Sequence, residues 1–302
     1  METQPNLPTE PPVNSQKTAH PKSPSLWLDA LQRLVKSKTS FIGLCLILLL
    51  ILTAIFAPLI ATHEPTSQDI INRYQAPSSE HWLGTDELGR DIFSRIVYGT
   101  RISIQIGVIA VGISAIVGIF LGCVAGYFGR WLDLIIMRFI DILMAFPSIL
   151  LAIALVTVMG PSLRNAMIAV GLVGIPQFAR IVRSTVLSVK ETEYIEAARS
   201  IGAKNGKILF SHVLPNCMAP IIVQATLSIG TAILDAAGLS FLGLGAEPSI
   251  PEWGAMLSDG RAALQTSPWV VTFPGLAILL VVLGFNLLGD GLRDALDPKM
   301  KQ

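Results

Sequence analysis

The stretch "EYIEAARSIGAKNGKILFSHVLPN", from Glu193 to Asn216, is polar and basic, and long apolar segments flank it on both sides. We call this stretch the insert. Of the 302 residues in the chain, 52% are hydrophobic and 14% are charged, and the mean hydropathy is +0.61. Ordinary soluble domains carry about 25% charged residues. With apolar runs of about 20 residues, this composition predicts an all-α polytopic membrane protein in which the insert is exposed to water.

We predict six transmembrane helices, and the insert lies between the fourth and the fifth. Their expected bounds are residues 41–61, 103–128, 134–158, 164–182, 217–243 and 270–289. The net charge of +1 gives no bulk attraction to nucleic acid, so we expect no nucleic-acid partner. The three cysteines (Cys45, Cys123 and Cys217) lie far apart in or beside apolar segments, which is typical of small packing residues.

Lys and Arg are concentrated in both termini and in the loops on the same side as the insert. The positive-inside rule therefore predicts cytoplasmic N- and C-termini and a cytoplasmic insert, with residues 62–102 and 244–269 outside. Residues 1–25 are rich in Pro, Ser, Thr and Asn and lack an apolar core, so we expect a disordered cytoplasmic tail and no signal peptide.

The insert has the signals of two short helices. Ser188 and Glu191 have the spacing of a capping box, and Gly202 is placed to end the first helix in a left-handed conformation. The apolar positions of that helix, on one face, are Tyr194, Ala197, Ala198 and Ile201. A second helix is expected at about residues 206–213, and Pro215 is expected to end it.

Two interpretations of the insert remain open from physics alone. It could pack on the cytoplasmic face of its own protein. It could also receive a partner, because Ala197 and Ala198 permit close approach and Glu196 offers a charge that an arginine could pair with.

A resemblance favours the second interpretation. Glu196-Ala197-Ala198, then Gly202, then Leu214-Pro215 is similar to the EAA motif of permease subunits from bacterial ATP-binding-cassette importers. Peptide-type permeases often carry histidine where His212 stands and other members carry isoleucine. The resemblance implies a type I importer permease fold (MetI-like) in the bacterial plasma (inner) membrane. It also implies that the insert is the coupling helix that docks on an ATPase subunit.

The chain lacks its own phosphate-binding loop. "GAKNGKI", from Gly202 to Ile208, has its glycines one residue too close, has Ile208 in place of the hydroxyl, and follows no strand. We therefore expect no cofactor in this chain and expect ATP and Mg²⁺ to be bound by partner ATPase subunits.

Two outer segments carry further patterns. In "HWLGTDELGRDIFSRIVYGTRIS", His81 to Ser103, Asp86 and Glu87 suit the first turn of a helix. The apolar stripe of that helix would be Ile92, Phe93, Ile96 and Val97, with Arg90, Asp91 and Arg95 mostly off it. We expect an amphipathic helix at the outer interface, acting either as an anchor or as a contact for cargo.

In the second outer segment, "EPSIPEWGAML", Trp253 fits an interfacial belt and Glu252 could meet a binding protein or a peptide amino group. Both the first outer pattern and the tail "GDGLRDALDPKMKQ" resemble the C-type permease of dipeptide, oligopeptide and nickel importers. We divide the chain into the 1–25 tail, a 26–98 region with the first span and the outer amphipathic segment, a 99–290 permease domain and a 291–302 cytoplasmic tail.

Charged residues inside the predicted spans include Arg138, Asp141 and Asp235. Arg138 and Asp141 stand at i and i+3, so we expect them to pair with each other or with a neighbouring subunit, or to line the translocation path. Asp235 has no local cation and could face a water-filled route or pair across a subunit interface. Pro147 and Pro176 are expected to kink their helices.

The sequence therefore predicts a non-catalytic permease that imports dipeptides or short peptides, with nickel-complex import as the alternative. None of the four histidines lies in a predicted span, which weakens the nickel alternative. The resemblance implies a homologous B-type permease, two ATPase subunits and a periplasmic or lipid-anchored peptide-binding protein as partners, in contact with membrane lipid. An intramembrane enzyme is disfavoured because HExxH and GxSxG are absent, and a passive channel would not need a docking insert.

Overall fold

The computed structural model of the protein describes residues 32–296, and within this range it is helical, with one isolated β-bridge. The predicted 1–25 tail and the last residues of the predicted 291–302 tail lie outside the described range. The helices are α1 (Lys38–Ile55), α2 (Ala57–Ile60), α3 (Ile92–Phe128), α4 (Arg130–Met144), α5 (Ser148–Met159), α6 (Leu163–Val189), α7 (Glu193–Ser200), α8 (Asn205–Ile208), α9 (Leu214–Phe241), α10 (Trp253–Gly260) and α11 (Trp269–Leu296).

Five helical stretches in the described range are long and apolar enough to cross a membrane. They contain α1, α3, α6, α9 and α11, and the α4–α5 pair is a sixth candidate if its bent halves count as one span. The predicted continuous third span (134–158) is wrong in form, because α4 and α5 meet at an angle of 92°. Pro147 explains the break, since it lacks an N–H and disfavours a helical conformation in the preceding residue.

The helix α3 begins eleven residues earlier than the span predicted at 103–128. Asp91 caps it by accepting a hydrogen bond from the Ser94 backbone N–H, and the helix then continues for 37 residues. The expected amphipathic outer helix is therefore the first part of this span, and the boundary that we placed between residues 98 and 99 falls inside it. Asp86 and Glu87, which we expected in a first helical turn, lie in the loop before α3.

The helices α3 and α6 lie in close contact along one glycine-lined face. Gly118, Gly122 and Gly126 follow one another at four-residue intervals on α3 and face α6. A Cβ at Gly122 would lie 2.6 Å from the carbonyl oxygen of Ala179, so only glycine permits this approach. Small residues that bring two backbones together are a common basis of helix association in membranes. The sequence analysis missed this GxxxGxxxG pattern.

The remaining long helices complete two buried clusters. The helix α9 joins α3 and α6 in a cluster that includes Ile106, Phe178 and Leu239. The helix α1 lies against α11, where Ile47 and Phe285 belong to a second cluster. The helix α11 extends to Leu296, beyond the predicted end of the last span at residue 289.

The bundle has two distinct ends. At one end of the bundle, the insert connects the end of α6 to the start of α9. At the other end lie residues 61–91, which we call the first loop, and residues 242–268, which we call the second loop and which contain α10. This separation follows from the up-and-down course of α3, α6, α9 and α11.

Candidate functional site

The insert is attached to the bundle by one apolar side of α7 and α8. Ile195 and Ile208 are fully buried there in a cluster with Val186 of α6 and Val213. The Tyr127 hydroxyl at the end of α3 donates to Asn205 Oδ1 over 3.0 Å, and Lys190 Nζ donates to the Gly126 carbonyl over 3.0 Å. The insert is therefore held against the ends of both α3 and α6.

The helix α7 starts later than predicted. Ser188 lies inside the last turn of α6, so the expected capping box at Ser188 and Glu191 is wrong. Thr192 occupies the position before α7, and its hydroxyl donates to the Val189 carbonyl over 2.6 Å instead of capping α7. The helix α6 instead continues through Ser188 and ends at Val189, and the Lys190 N–H donates to the Val186 carbonyl over 2.9 Å.

Gly202 ends α7 as expected, in a left-handed conformation with φ +83°. The Gly202 N–H donates to the Arg199 carbonyl over 2.9 Å, and the Ala203 N–H donates to the Ala198 carbonyl over 3.1 Å. This pair of bonds is the Schellman arrangement, which satisfies carbonyls that the end of a helix leaves free.

Pro215 does not end the second helix. The helix α8 passes into a π-helical turn at Leu209–Val213 and continues directly into α9, with Pro215 in the first turn of α9. A π turn contains one residue more than a regular α-helical turn, and proline has no backbone N–H to donate to the carbonyl four residues before it. The π turn and Pro215 therefore interrupt the regular α-helical hydrogen bonds in the same short segment. Leu214 is half-buried against the cluster below the insert.

The outer side of the insert is apolar and exposed. Ile201 is 86% exposed, Phe210 is 69% exposed and Tyr194 is 47% exposed. Glu196 and Ala197 are exposed on the same helix, whereas Ala198 is half-buried. Most of the predicted apolar face of α7 therefore points away from the bundle, and Ile195, which was not predicted to be on that face, is the residue that anchors the helix.

A polar cavity of about 240 Å³ lies between the long helices. Its polar lining residues are Ser114, Ser148, Gln177, Ser228, Thr231 and Asp235. Gln224 Nε2 donates to Gln177 Oε1 over 3.1 Å and to Ser228 Oγ over 2.9 Å, which extends this polar strip along α9. The sequence analysis found Asp235 but missed the two glutamines, whose spacing between apolar residues was the available signal.

Asp235 is partly buried, and within residues 32–296 it forms no ion pair. A carboxylate placed in this way beside a cavity can hold water or a cationic group. The structure thus puts Asp235 on the cavity wall and, among the described residues, in no ion pair.

Arg138 and Asp141, both on α4, differ in their contacts. Asp141 accepts a hydrogen bond from Arg180 of α6 over 2.6 Å, so the expected pair with Arg138 is not formed. Arg138 is exposed and makes no ion pair in the described part of the chain. Arg183 makes two hydrogen bonds to Asp133, so two arginines of α6 hold two aspartates of α4. The i, i+3 spacing of Arg138 and Asp141 was misleading because the partner of Asp141 lies on another helix, α6.

Arg90 and Arg95, which were expected mostly off the apolar stripe of an amphipathic helix at the outer interface, do not face solvent. Both are buried between the two loops, with Arg90 Nε donating to Asp86 Oδ2 over 2.6 Å. Arg90 Nη1 also donates to the Pro248 carbonyl over 2.7 Å, and Nη2 reaches Asp259 Oδ2 at 3.3 Å. Burial raises the pKa of Asp259, although Arg90 acts in the opposite direction. These contacts join the first loop to the second loop.

Glu252 and Trp253 are structural residues of the second loop. Glu252 is buried, and its carboxylate caps α10 by accepting from the N–H groups of Gly254 and Ala255 over 2.9 and 2.8 Å. Trp253 is buried, and its Nε1 donates to the Ile96 carbonyl over 3.2 Å. The expected roles of Trp253 in an interfacial belt and of Glu252 in meeting an outside partner are therefore not supported by their positions.

Comparisons with known proteins agree with this architecture. Residues 118–302 match the model of the family "Binding-protein-dependent transport system inner membrane component", and residues 25–77 match "N-terminal TM domain of oligopeptide transport permease C". The chain is 57% identical to a dipeptide transport system permease protein of Alkalihalophilus pseudofirmus, over 97% of this chain and 95% of the relative. It is 51% identical to a glutathione transport system permease protein of Escherichia coli O157:H7, over 91% of each chain.

A solved structure shares the fold. A chain of the MetNI methionine ABC transporter in an inward-facing conformation superposes with a TM-score of 0.56 at 18% identity, covering 67% of this chain and 96% of the other. The family match extends over more than half of the chain, and the relatives cover nearly all of it. The chain belongs to the family of binding-protein-dependent transport system inner membrane components, the permease subunits of ATP-binding-cassette importers.

Proposed function

We propose that this chain is one of the two permease subunits of an importer that moves dipeptides and other short peptides across the bacterial inner membrane into the cytoplasm. The single observation that carries the proposal is the 57% identity to a dipeptide permease over 97% of the chain. The other half of the pore would be a homologous B-type permease, and a periplasmic or lipid-anchored peptide-binding protein would deliver the cargo.

The insert is the proposed contact with the energy source. Its exposed outer side, with Tyr194, Ile201 and Phe210, offers apolar area to a partner, and Glu196 offers a charge beside it. Its buried side contacts the ends of α3 and α6, so a displacement of the insert would be passed to both helices. In this proposal two separate ATPase subunits bind ATP and Mg²⁺, and the chain itself is non-catalytic and holds no cofactor.

The proposed orientation places the insert and both termini in the cytoplasm and the two loops outside. The concentration of Lys and Arg on the insert side supports this orientation. Opposite placement of the insert and the loops in the bundle is consistent with it.

The polar cavity is the proposed part of the route that cargo passes. Asp235 on its wall would attract the amino terminus of a peptide, and the side-chain amides of Gln177 and Gln224 would exchange hydrogen bonds with its backbone. We expect Asp235→Asn to slow dipeptide uptake at low substrate concentration, with normal amounts of the importer in the membrane. Unchanged uptake kinetics in this variant would remove Asp235 from the route.

The decisive experiment measures uptake of labelled dipeptides, tripeptides and nickel by cells that lack this chain. We expect peptide uptake to be lost and nickel uptake to remain, and re-expression of the chain should restore peptide uptake. Loss of nickel uptake with peptide uptake intact would replace the proposal with the nickel-complex alternative.

A further inference from the structure

In the first loop, His63 meets the neighbouring residues Glu80 and His81, which lie well after it in the sequence. His63, Glu80 and His81 each bring one ligand-type atom to within 4.8 Å of the others. The two imidazole rings lie with their centroids 4.6 Å apart. His63 follows α2, and Glu80 and His81 belong to the turn that precedes α3, so the fold and not the sequence spacing creates this group.

A buried carboxylate fixes the orientation of one ring. Asp91 is buried, and its Oδ1 lies 2.9 Å from His81 Nδ1. A neutral imidazole that donates from Nδ1 to a carboxylate keeps the lone pair of Nε2 free for a metal ion. Carboxylate–histidine–metal arrangements of this kind are the usual support of a metal-binding histidine.

The second ring is also held by its surroundings. The His63 backbone N–H donates to Ser94 Oγ over 3.0 Å, and the Ser94 N–H donates to Asp91 Oδ2 over 2.8 Å. His63 Nδ1 lies 3.0 Å from the Thr62 hydroxyl. Asp91 and Ser94 at the start of α3 therefore position both histidines.

We propose that His63, Glu80 and His81 form a binding site for a divalent transition-metal ion such as Zn²⁺, with Asp91 as its supporting carboxylate. Two imidazoles and a carboxylate form a ligand set that suits Zn²⁺, and water fills the fourth position. Around a tetrahedral zinc ion the ligand atoms lie about 3.3 Å apart. The exposed Glu80 and the partly exposed His63 side chains have the freedom to close from 4.8 Å to this separation.

The proposed metal site is separate from the proposed cargo route. It lies in the first loop, at the end of the bundle opposite the insert, whereas the polar cavity lies between the long helices. A bound ion would join His63 to Glu80 and His81, and Asp91 would link this site to the start of α3. The inference does not depend on which cargo the importer carries.

The test uses the assembled importer, purified with its partner subunits, equilibrated with Zn²⁺, washed, and assayed by elemental analysis. We expect one zinc ion per copy of this chain in the unchanged protein and loss of that zinc in His81→Ala. Asp91→Asn should weaken zinc affinity about 10–100-fold. Asparagine is as good a helix cap as aspartate, so this variant keeps the start of α3 while removing the carboxylate.

His212→Ala is the matched control, because it removes a histidine of the insert and should leave the bound zinc unchanged. If His81→Ala does not assemble, His63→Ala decides the question, since the His63 side chain is 36% exposed and its replacement disturbs little packing. Equal zinc content in the unchanged protein and in His63→Ala or His81→Ala would overturn the proposal. So would zinc that is lost equally in His212→Ala.

Discussion

At the scale of single residues, the backbone conformation of Gly202, and not its packing, restricts which residue can stand there. Its φ is +83°, and a Cβ placed on it would meet no atom within 4 Å. For a residue other than glycine this conformation costs about 1–2 kcal/mol, and the cost is greatest for a β-branched residue. We therefore expect Gly202→Val to abolish peptide uptake while the amount of the protein in the membrane stays normal, as measured by transport and immunoblotting.

Gly206 provides the control for that substitution. A Cβ placed on it would likewise meet no atom within 4 Å, but its φ is not positive. Gly206→Val should therefore retain most of the uptake. Equal loss of uptake in both variants would show that side-chain bulk on the insert, and not the left-handed turn, is what transport cannot tolerate.

The burial of Glu252 predicts that the stability of the protein depends on pH. Burial raises the pKa of this carboxyl, although its hydrogen bonds to Gly254 and Ala255 act in the opposite direction. A carboxyl with a raised pKa in the folded state binds more protons folded than unfolded, so its contribution to stability falls as pH rises above the unfolded value of about 4.3. We expect the thermal midpoint of the unchanged importer, relative to Glu252→Gln, to fall as pH rises from that value. A difference that is constant with pH, or that grows in favour of glutamate, would contradict this.

These two residues show what a single position reveals before the fold is known. Gly202 was predictable because a glycine after a short amphipathic helix has one common use. Glu252 was not, because an acidic residue beside Pro251 looks exposed until the packing of α10 places it inside. Likewise, His63 and His81 carry no local signal for meeting each other.

At the scale of helices, the contact between α3 and α6 depends on Gly122. Alanine at this position would place its Cβ 2.6 Å from the Ala179 carbonyl oxygen and would push the two helices apart. We expect Gly122→Ala to lower the thermal midpoint and the membrane level of the importer. Gly112→Ala on the same helix is the control, since a Cβ there meets no atom within 4 Å. A midpoint that drops equally in both variants would mean that α3 tolerates no added methyl group anywhere.

The sequence predicted which segments are membrane helices better than it predicted their bends and ends. The apolar runs indicated α1, α3, α6, α9 and α11, because about 20 apolar residues suffice to span a bilayer. Hydropathy does not report direction, so the run at 134–158 gave no measure of the 92° bend, and Pro147 alone marked its place. The early start of α3 was hidden because Arg90 and Arg95 look like exposed charges in the sequence, whereas both are buried. Arg90 donates to Asp86 and Asp259, and Arg95 Nη1 donates to the Pro65 carbonyl.

At the scale of the whole molecule, the orientation can be tested with single cysteines in a variant without the three natural ones. Ile71 is 94% exposed in the first loop and Phe210 is 69% exposed on the insert. A membrane-impermeant maleimide should label Ile71→Cys in intact spheroplasts and Phe210→Cys only after permeabilisation. Labelling of Phe210→Cys in sealed spheroplasts would reverse the proposed orientation and remove the insert from reach of cytoplasmic ATPases.

The helix α3 is long enough to connect the loops at one end of the bundle with the insert at the other. At about 1.5 Å per residue its 37 residues extend for about 55 Å, well beyond a hydrocarbon layer of about 30 Å. One end is capped by Asp91 among the loops, and the other carries Tyr127 against Asn205. If the insert is displaced as proposed, a continuous helix of this length would carry the displacement from its end at Tyr127 to its end at Asp91.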